Sequence, residues 1–307
     1  MNPRKNMTIL DFILSYRYSL RNFSKIDFLI GYKNTYKNSL NILYRSLIKQ
    51  KFPINATLKN GKKIQLKNAR ESYLLTAKSF WKYSEIQDDH IIIHPKHMDS
   101  IKFFDWLERG DLIAIFLSEE YKFLPVKGQI VIDIGGNAGD SAIYFALKGA
   151  KKVIALEPSV LNYNTAQKNL KINNQLDKVE FLLAACSDKN GTIKIDPNMA
   201  GNQAKISLSD NGTSIPTFSL KHILENYDID SAVLKIDCEG CEYDSILGTS
   251  KENLRKFSHI QIEYHYGYRN LQSKLEECGF DVESSKPIRF KKGEYVGFIN
   301  ATRNNDQ

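Results

Sequence analysis

The run from Val131 to Ser141, VIDIGGNAGDS, constrains this chain more than any other stretch. Ile130, Val131 and Ile132 are apolar and β-branched, which suits a strand buried on both faces. Asp133 closes the strand, and Gly135, Gly136 and Gly139 follow, spaced by Asn137 and Ala138. Ala142, Tyr144, Phe145, Ala146 and Leu147 then begin a helical run. Strand, glycine turn and helix N-terminus together let a ligand approach backbone N–H groups and the positive end of a helix dipole.

The spacing departs from the dinucleotide fingerprint G-x-G-x-x-G. Counted from Gly135, its second and third glycine positions are Asn137 and Asp140. A carboxylate at Asp133, two residues before the first glycine, repels a pyrophosphate and welcomes an ammonium group. The next strand, Lys152 to Leu156, ends in Glu157-Pro158. Glu157 lies 24 residues after Asp133, close to the roughly 20-residue spacing at which a strand-end acid meets a ribose diol. A ligand with a cationic amino-acid end and a nucleoside end fits both acids, and S-adenosylmethionine is such a ligand.

Composition removes several function classes. An apolar content of 42% and a charged content of 25% are those of an ordinary globular protein. No apolar run approaches the roughly 18–20 residues needed to span a bilayer. The start, MNPRKNMTIL, lacks the apolar core and cleavage site of a signal peptide. Cys186, Cys238, Cys241 and Cys278 do not suggest a secreted disulfide framework, so a cytoplasmic location is expected. Residues 1–51 hold ten Lys/Arg against two Asp/Glu, which accounts for the whole net charge of +8. The remainder is electroneutral, which argues against a broad nucleic-acid groove and predicts no nucleic-acid partner.

Along the chain, residues 7–50 read as helices. Ile13, Tyr16, Leu20 and Phe23 fall at spacings of three and four, as do Tyr36, Leu40, Leu43 and Leu47. Basic residues between them fit either two helices packed on the main domain or a peripheral contact of residues 1–51 with an anionic membrane surface. Pro53 breaks the second helix, and Asn60-Gly61 predicts a hairpin. Short elements follow at Ile91–Ile93 and Ile101–Trp106. His90, His94 and His97 flank a Pro95 turn at spacings that do not suit a metal site.

From Gln129 the rhythm is strand, helix, strand, the mark of a parallel doubly wound sheet. A helix is expected over Val160–Ile172 and a third strand over Glu180–Ala185. Cys186-Ser187-Asp188 then lies where an adenine edge sits in such a fold, and Ser187 is a candidate cofactor contact. Asn190-Gly191 looks like a hairpin turn, and Asp196–Pro216 reads as a polar loop. The strand Ala232–Ile236 delivers Asp237, Cys238, Glu239, Gly240, Cys241 and Glu242. The strand Ile260–Ile262 delivers Glu263, Tyr264 and His265. Leu271–Cys278 is a helix ended by Gly279, and Phe280–Val282 and Tyr295–Ala301 are closing strands.

Ligands in an open α/β sheet sit at the carboxyl ends of the strands. Asp133, Glu157, Asp237, Glu239, Glu263 and His265 all fall at or just after such ends, so they are expected to converge. Methyl transfer is an in-line displacement in which the protein mainly aligns donor and acceptor. An alcohol acceptor also sheds a proton. His265 is a candidate base, with Asp237 and Glu239 as alternatives or as ligands of a polyol. The Asn-Pro-Pro-aromatic tail that grips exocyclic amines is absent after the Asp237 strand, so oxygen acceptors fit better than base nitrogens. Cys238-x-x-Cys241 is a lone half-motif with no matching second pair, and neither redox chemistry nor zinc is expected from it. Asp237 and Glu239 with a substrate diol offer oxygens that suit Mg²⁺, but no residue is assigned to a metal.

DIGGNAGDS (Asp133–Ser141), ALEP (Ala155–Pro158), LKIDCEGCE (Leu234–Glu242) and IEYH (Ile262–His265) resemble the blocks of FkbM-type S-adenosylmethionine-dependent methyltransferases. The fourth-strand pattern D-x-E-G-x-E is met by Asp237, Glu239, Gly240 and Glu242, whereas Lys221 stands where the family has an acid. The resemblance covers roughly Phe116 to Arg303. It implies a class I methyltransferase fold, Rossmann-like α/β with a mostly parallel seven-stranded sheet. Residues 1–115 are then an N-terminal helical and small-strand annex, and residues 116–307 the methyltransferase domain. It carries Asp133, Gly135, Asn137, Gly139 and Glu157 over as S-adenosyl-L-methionine contacts. It implies methylation of hydroxyl oxygens on sugars, glycans or related natural products, so a small-molecule or glycan acceptor is the expected partner. Two other readings are a non-catalytic cofactor-binding scaffold and an RNA ribose methyltransferase.

Overall fold

The computed structural model describes residues 25–47, 52–67, 71–72, 75–76, 84–87, 89–105, 111–196, 212–291 and 294–304. The expected stripe Ile13, Tyr16, Leu20, Phe23 lies outside the described residues. Two helices, α1 (Lys25–Thr35) and α2 (Ser39–Leu47), open the described chain. The hairpin predicted at Asn60-Gly61 is formed by β1 (Ile54–Thr57) and β2 (Lys63–Leu66), and Gly61 takes the positive φ of 93° that its turn needs. Strands β3 (Ser84–Ile86), β4 (His90–Ile93) and β5 (Ile101–Phe104) form a separate antiparallel sheet. His90 hydrogen-bonds Asp89, and His94 bonds Ser100 and Glu85.

Of the stripe Tyr36, Leu40, Leu43, Leu47, the first lies in the core and Leu43 packs half-buried against it, but Leu40 is out of phase, and the Leu47 side chain lies outside what is described. Tyr36 is buried, but Leu40 is 82% exposed and Ile42 takes the buried position. The cause is a break between the helices: Tyr36 leaves α1 to bridge Leu58, and α2 restarts with a different face inward.

A π-helical turn (Ile113–Leu117) leads into the main sheet, and the boundary expected at residues 115/116 falls inside that turn. Its elements are β6 (Ile130–Ile134), α3 (Asp140–Leu147), β7 (Lys152–Leu156), α4 (Val160–Ile172) and β8 (Val179–Leu182). They continue, after a small sheet described below, with β12 (Ala232–Ile236), α6 (Cys241–Leu247), α7 (Lys251–Leu254), β13 (Phe257–Tyr264), α8 (Arg269–Glu277), β14 (Phe280–Ser284), β15 (Ile288–Lys291) and β16 (Glu294–Arg303). The sheet order is β14-β16-β13-β12-β6-β7-β8, with β15 added on β16. Strands β13, β12, β6, β7 and β8 are parallel, and β16 runs antiparallel between β13 and β14. This is the mostly parallel α/β sheet that the sequence resemblance implies, with β15 as one strand beyond the seven expected.

The sheet has a core on each face, and strand alternation deals residues to the two in turn. Val131, Val153 and Ala155 enter one cluster; Ile132, Ile134, Ile154 and Leu156 enter the other. The first cluster continues into the annex. The Phe116 ring lies 5.6 Å from that of Phe103 on β5 and 5.8 Å from that of Tyr144 on α3. Hydrogen bonds tie the same region to α4 and its C-cap: Phe104 N–H donates to Asn169 Oδ1, Lys102 N–H to Asn173 Oδ1, and the Asn173 amide back to the Lys102 carbonyl. The bounds of α4 match its sequence signals, and Ser159 caps it by accepting from the Asn162 N–H.

Three expectations change between residues 180 and 220. The third strand stops at Leu182, because the Ala184 N–H turns back to the carbonyls of Leu182 and Glu157. Ala185–Cys186 (β9) belongs instead to a small second sheet with β10 (Gly191–Ile195) and β11 (Thr213–Phe218). Asn190-Gly191 is not a hairpin turn. Gly191 begins β10, while the Asn190 side chain accepts from the Ser219 N–H and so ties the start of α5 (Leu220–Asn226). The polar stretch Asp196–Pro216 is part strand, since Thr213–Pro216 pairs with β10; residues 197–211 lie outside the described residues. Pro216 fits there because β9 reaches only Thr217 and Phe218, so its missing N–H faces the open side.

Candidate active site at the strand tips

A crevice of about 220 Å³ opens at the carboxyl ends of β6, β7, β12 and β13. Gly135, Asn137, Glu157, Asp237, Glu239, Glu263 and His265 all line it, as the strand-end argument requires. Asp133, Gly139 and Ser187 do not line it. The glycine turn is dictated by crowding. A Cβ on Gly135 would stand 1.8 Å from the Asp237 carbonyl oxygen, so the turn after β6 and the tail of β12 can touch only through glycine. Gly139 has φ +83° at the N-cap of α3, and its place for a Cβ is filled by Ala166 of α4.

Asp133 is fully buried and faces sideways rather than into the crevice. It sits opposite Lys235 in the parallel β6–β12 register, and the Lys235 Nζ lies 2.9 Å from its Oδ1. Ser141 Oγ donates to its Oδ2 at 2.6 Å. Lys235 is 2% exposed, and its Nζ also donates to the carbonyl of Gly135 at 2.8 Å and to that of Ile134 at 3.3 Å. Burial alone would lower the pKa of this ammonium, but Asp133, Asp237 and Asp140 hold it above the usual lysine value. The cation that the acid at the end of β6 meets is thus a side chain of this protein. The sequence signal was available: a lysine inside the apolar strand AVLKI must find a buried partner.

Glu157 caps β7 and is 6% exposed. Its Oε2 accepts from the Asn137 N–H at 3.0 Å, and its Oε1 from the Ser159 N–H at 2.8 Å and the Asn162 amide at 3.3 Å. These bonds fix the carboxylate against the glycine turn. Burial pushes its pKa up to about 7, and the three hydrogen bonds only partly offset that. A carboxylate has about four lone-pair sites, so capacity remains for hydroxyls on the crevice side.

The far end of the crevice gathers charge. His265 is 4% exposed; its Nδ1 lies 3.1 Å from Oε1 of the fully buried Glu242, which also accepts from the His265 and Gly240 N–H groups. Its Nε2 stands 3.6 Å from a Glu239 oxygen and 3.9 Å from an Asp237 oxygen. Burial would lower the His265 pKa, but the bond to Glu242 and the charges of Glu242, Asp237 and Glu239 raise it to about 10. Burial likewise raises Glu239, with His265 opposing and Asp237 reinforcing. Glu263 is held well above the ordinary carboxylate range by burial and then by Asp237. Glu120 is pushed up to about 7 by burial and by Asp111 and Asp237. In all, eight carboxylate residues and two basic ones, Lys235 and His265, line the crevice.

Several lining residues escaped the sequence reading. Asp111, Ile115, Glu120 and Tyr121 come from the segment before β6, and Glu294 and Val296 from β16. Nothing local marks them; only the tertiary fold brings them to the strand tips. The half-motif Cys238-x-x-Cys241 is a disulfide, contrary to expectation. The tight turn through Glu239 (φ 55°) and Gly240 (φ 130°) into α6 sets the two Cα atoms 5.5 Å apart, within bonding range. Both cysteines and the free, buried Cys186 line the crevice. Ser187, next in sequence, points its Oγ to Asp188.

A family model, the methyltransferase FkbM domain, matches residues 133–282, which run from the first strand-end acid through β14. These residues are an FkbM-type methyltransferase domain. The matched segment contains Asp133, Glu157, Asp237, Glu239 and Glu263, the acids at the strand tips. Over 190 residues the chain is 24% identical to "Methyltransferase sdnD" of Sordaria araneosa, covering 50% of this chain and 73% of that protein. Over 226 residues it is 25% identical to the ribosomal RNA large subunit methyltransferase K/L of Photobacterium profundum, covering 67% of this chain but 27% of that one. Among solved structures it is similar to a methyltransferase FkbM from Methylobacillus flagellatus, with a TM-score of 0.41 and 14% identity, over 56% of this chain and 43% of that one. Among the described residues no helix is long and apolar enough to cross a membrane.

Proposed function

We propose that this protein is an O-methyltransferase that carries the methyl group of S-adenosylmethionine to a hydroxyl of a sugar, a glycan or a related natural product. The observation that carries the reading is one crevice with Glu157 at one end and Asp237, Glu239 and His265 at the other. Gly135, Asn137 and Glu157 are proposed to hold the cofactor, with Glu157 accepting from the ribose hydroxyls. Asp133 acts through Lys235, whose bond to the Gly135 carbonyl fixes the turn. Gly139 acts by letting α4 close on that turn; Ser187, whose Oγ bonds Asp188 outside the crevice, is not among the proposed contacts, and Ala185 and Cys186 before it line the cleft instead.

In this reading the acceptor hydroxyl lies among Asp237, Glu239 and His265. Its oxygen attacks the sulfonium methyl; the C–O bond forms as the C–S bond breaks, and the bonding pair stays on sulfur. The oxygen then carries an excess proton, and Glu239 takes it. With a pKa near 10, His265 is an imidazolium at neutral pH, so it orients the carboxylates and the hydroxyl rather than acting as the base. The surplus of carboxylates in the crevice opposes phosphate, which weighs against an RNA acceptor. We place the protein in the cytoplasm, with residues 1–115 as an annex on a catalytic domain of residues 116–307.

The test is transfer of a tritiated methyl group from S-adenosylmethionine into separate carbohydrate, polyol and RNA pools. Label is expected in a carbohydrate or polyol fraction, falling roughly 10²–10⁴-fold in Glu239→Gln. Label in RNA, or transfer unaffected by Glu239→Gln, contradicts the proposal.

A further inference from the structure

We infer that Asp237, Glu263 and His265 form a binding site for a hard divalent cation of the Mn²⁺ or Mg²⁺ class. One donor atom from each residue lies within 4.8 Å of the other two. A cation at about 2.1 Å from its donors spaces adjacent donors roughly 3 Å apart and opposite ones roughly 4.2 Å apart. Small side-chain rotations therefore close the set. The backbone is already fixed: Asp237 and His265 directly follow β12 and β13, Glu263 lies in β13, and these strands pair in parallel register.

A second observation comes from His265 itself. Its side chain is 5% exposed, and its Nδ1 is bound to the buried carboxylate of Glu242. Among the described residues its Nε2 makes no hydrogen bond; the Glu239 and Asp237 oxygens stand off at 3.6 and 3.9 Å. A buried imidazole anchored by a carboxylate through one nitrogen, with the other aimed into a cleft, is the arrangement that orients metal-binding histidines. Glu263 lines the same cleft, and among the described residues its carboxylate makes no hydrogen bond, its backbone alone pairing with β16. Two carboxylates and one imidazole favour Mn²⁺ or Mg²⁺ over softer ions, and three protein donors leave coordination positions open. The bound cation takes the place of the proton on Nε2, and Glu239 stays free to accept the acceptor's proton.

The open positions suit an acceptor with two neighbouring oxygens, such as a vicinal diol or a hydroxy acid. That extension rests on the hydroxyl reading above; the cation site does not. The test is titration of Mn²⁺ into the full, chelator-stripped chain without cofactor or acceptor, read by the loss of the free-ion electron paramagnetic signal. One Mn²⁺ per chain is expected, displaced by excess Mg²⁺. Glu263→Gln and Asp237→Asn are each expected to weaken it at least roughly tenfold. Glu120→Gln, which removes a lining charge outside the set, is expected to weaken it less than threefold. Spin-echo modulation of bound Mn²⁺ in the unaltered protein is expected to show one coordinated imidazole nitrogen, which needs no variant to fold. No binding below about millimolar, no nitrogen coupling, or equal weakening by Glu120→Gln overturns the inference.

Discussion

Replacing Glu157 by glutamine tests the energetics of the ribose end without a ligand. Glu157 is buried, and its pKa is held at about 7 against an ordinary 4.5. The fold therefore favours the protonated form. Its contribution is fully present below pH 4.5 and is lost as pH rises through 7. Keeping the group charged at pH 8 costs the folded state roughly 3 kcal/mol, and at pH 5 less than about 1 kcal/mol. Glutamine removes that dependence. It also loses one acceptor, and its amide nitrogen faces the Asn137 N–H, a cost of about 1–2 kcal/mol at every pH. Net stability relative to wild type should thus rise by about 2.5 kcal/mol between pH 5 and pH 8, passing from destabilising to stabilising. Urea unfolding of both proteins at four pH values, followed by circular dichroism, measures this difference. A difference that is flat with pH refutes the claim that a buried, unneutralised carboxylate closes β7.

Two further outcomes follow from the same geometry. Lys235→Met leaves Asp133 buried without its cation and should cost about 3–5 kcal/mol in thermal or denaturant unfolding, with partial recovery on adding Asp133→Asn; an unchanged melting curve sinks the ion-pair account. Thiol titration of the unreduced, denatured chain should find two free cysteines, Cys186 and Cys278, and four after reduction; four without reductant contradicts the Cys238–Cys241 bond.

Much of the sheet was legible because its signals are local. β-branched runs mark β6, β7 and β12, and apolar spacing marked α4 over its observed length. The convergence of Glu157, Asp237, Glu239 and His265 followed from the rule that strand tips share one edge. Asp133 was harder. Its partner Lys235 lies about a hundred residues on, and only the β6–β12 register sets them opposite each other. Leu40 misled because periodicity was carried across a break between α1 and α2, where Tyr36 bridges Leu58. β10 and β11 were missed because Pro216 and exposed threonines look like loop, and only pairing with each other makes them strand. Asp111 and Glu120 reach the crevice through packing alone.

The central claim is that the strand-tip crevice seats S-adenosylmethionine with Glu157 on its ribose. Isothermal calorimetry of S-adenosylhomocysteine binding to wild type and Glu157→Ala measures it directly. The account predicts one site per chain in the wild type and a loss of roughly 10–100-fold in the variant, the worth of hydrogen bonds to a charged group. Equal affinities in the two proteins, with the variant folded, contradict it.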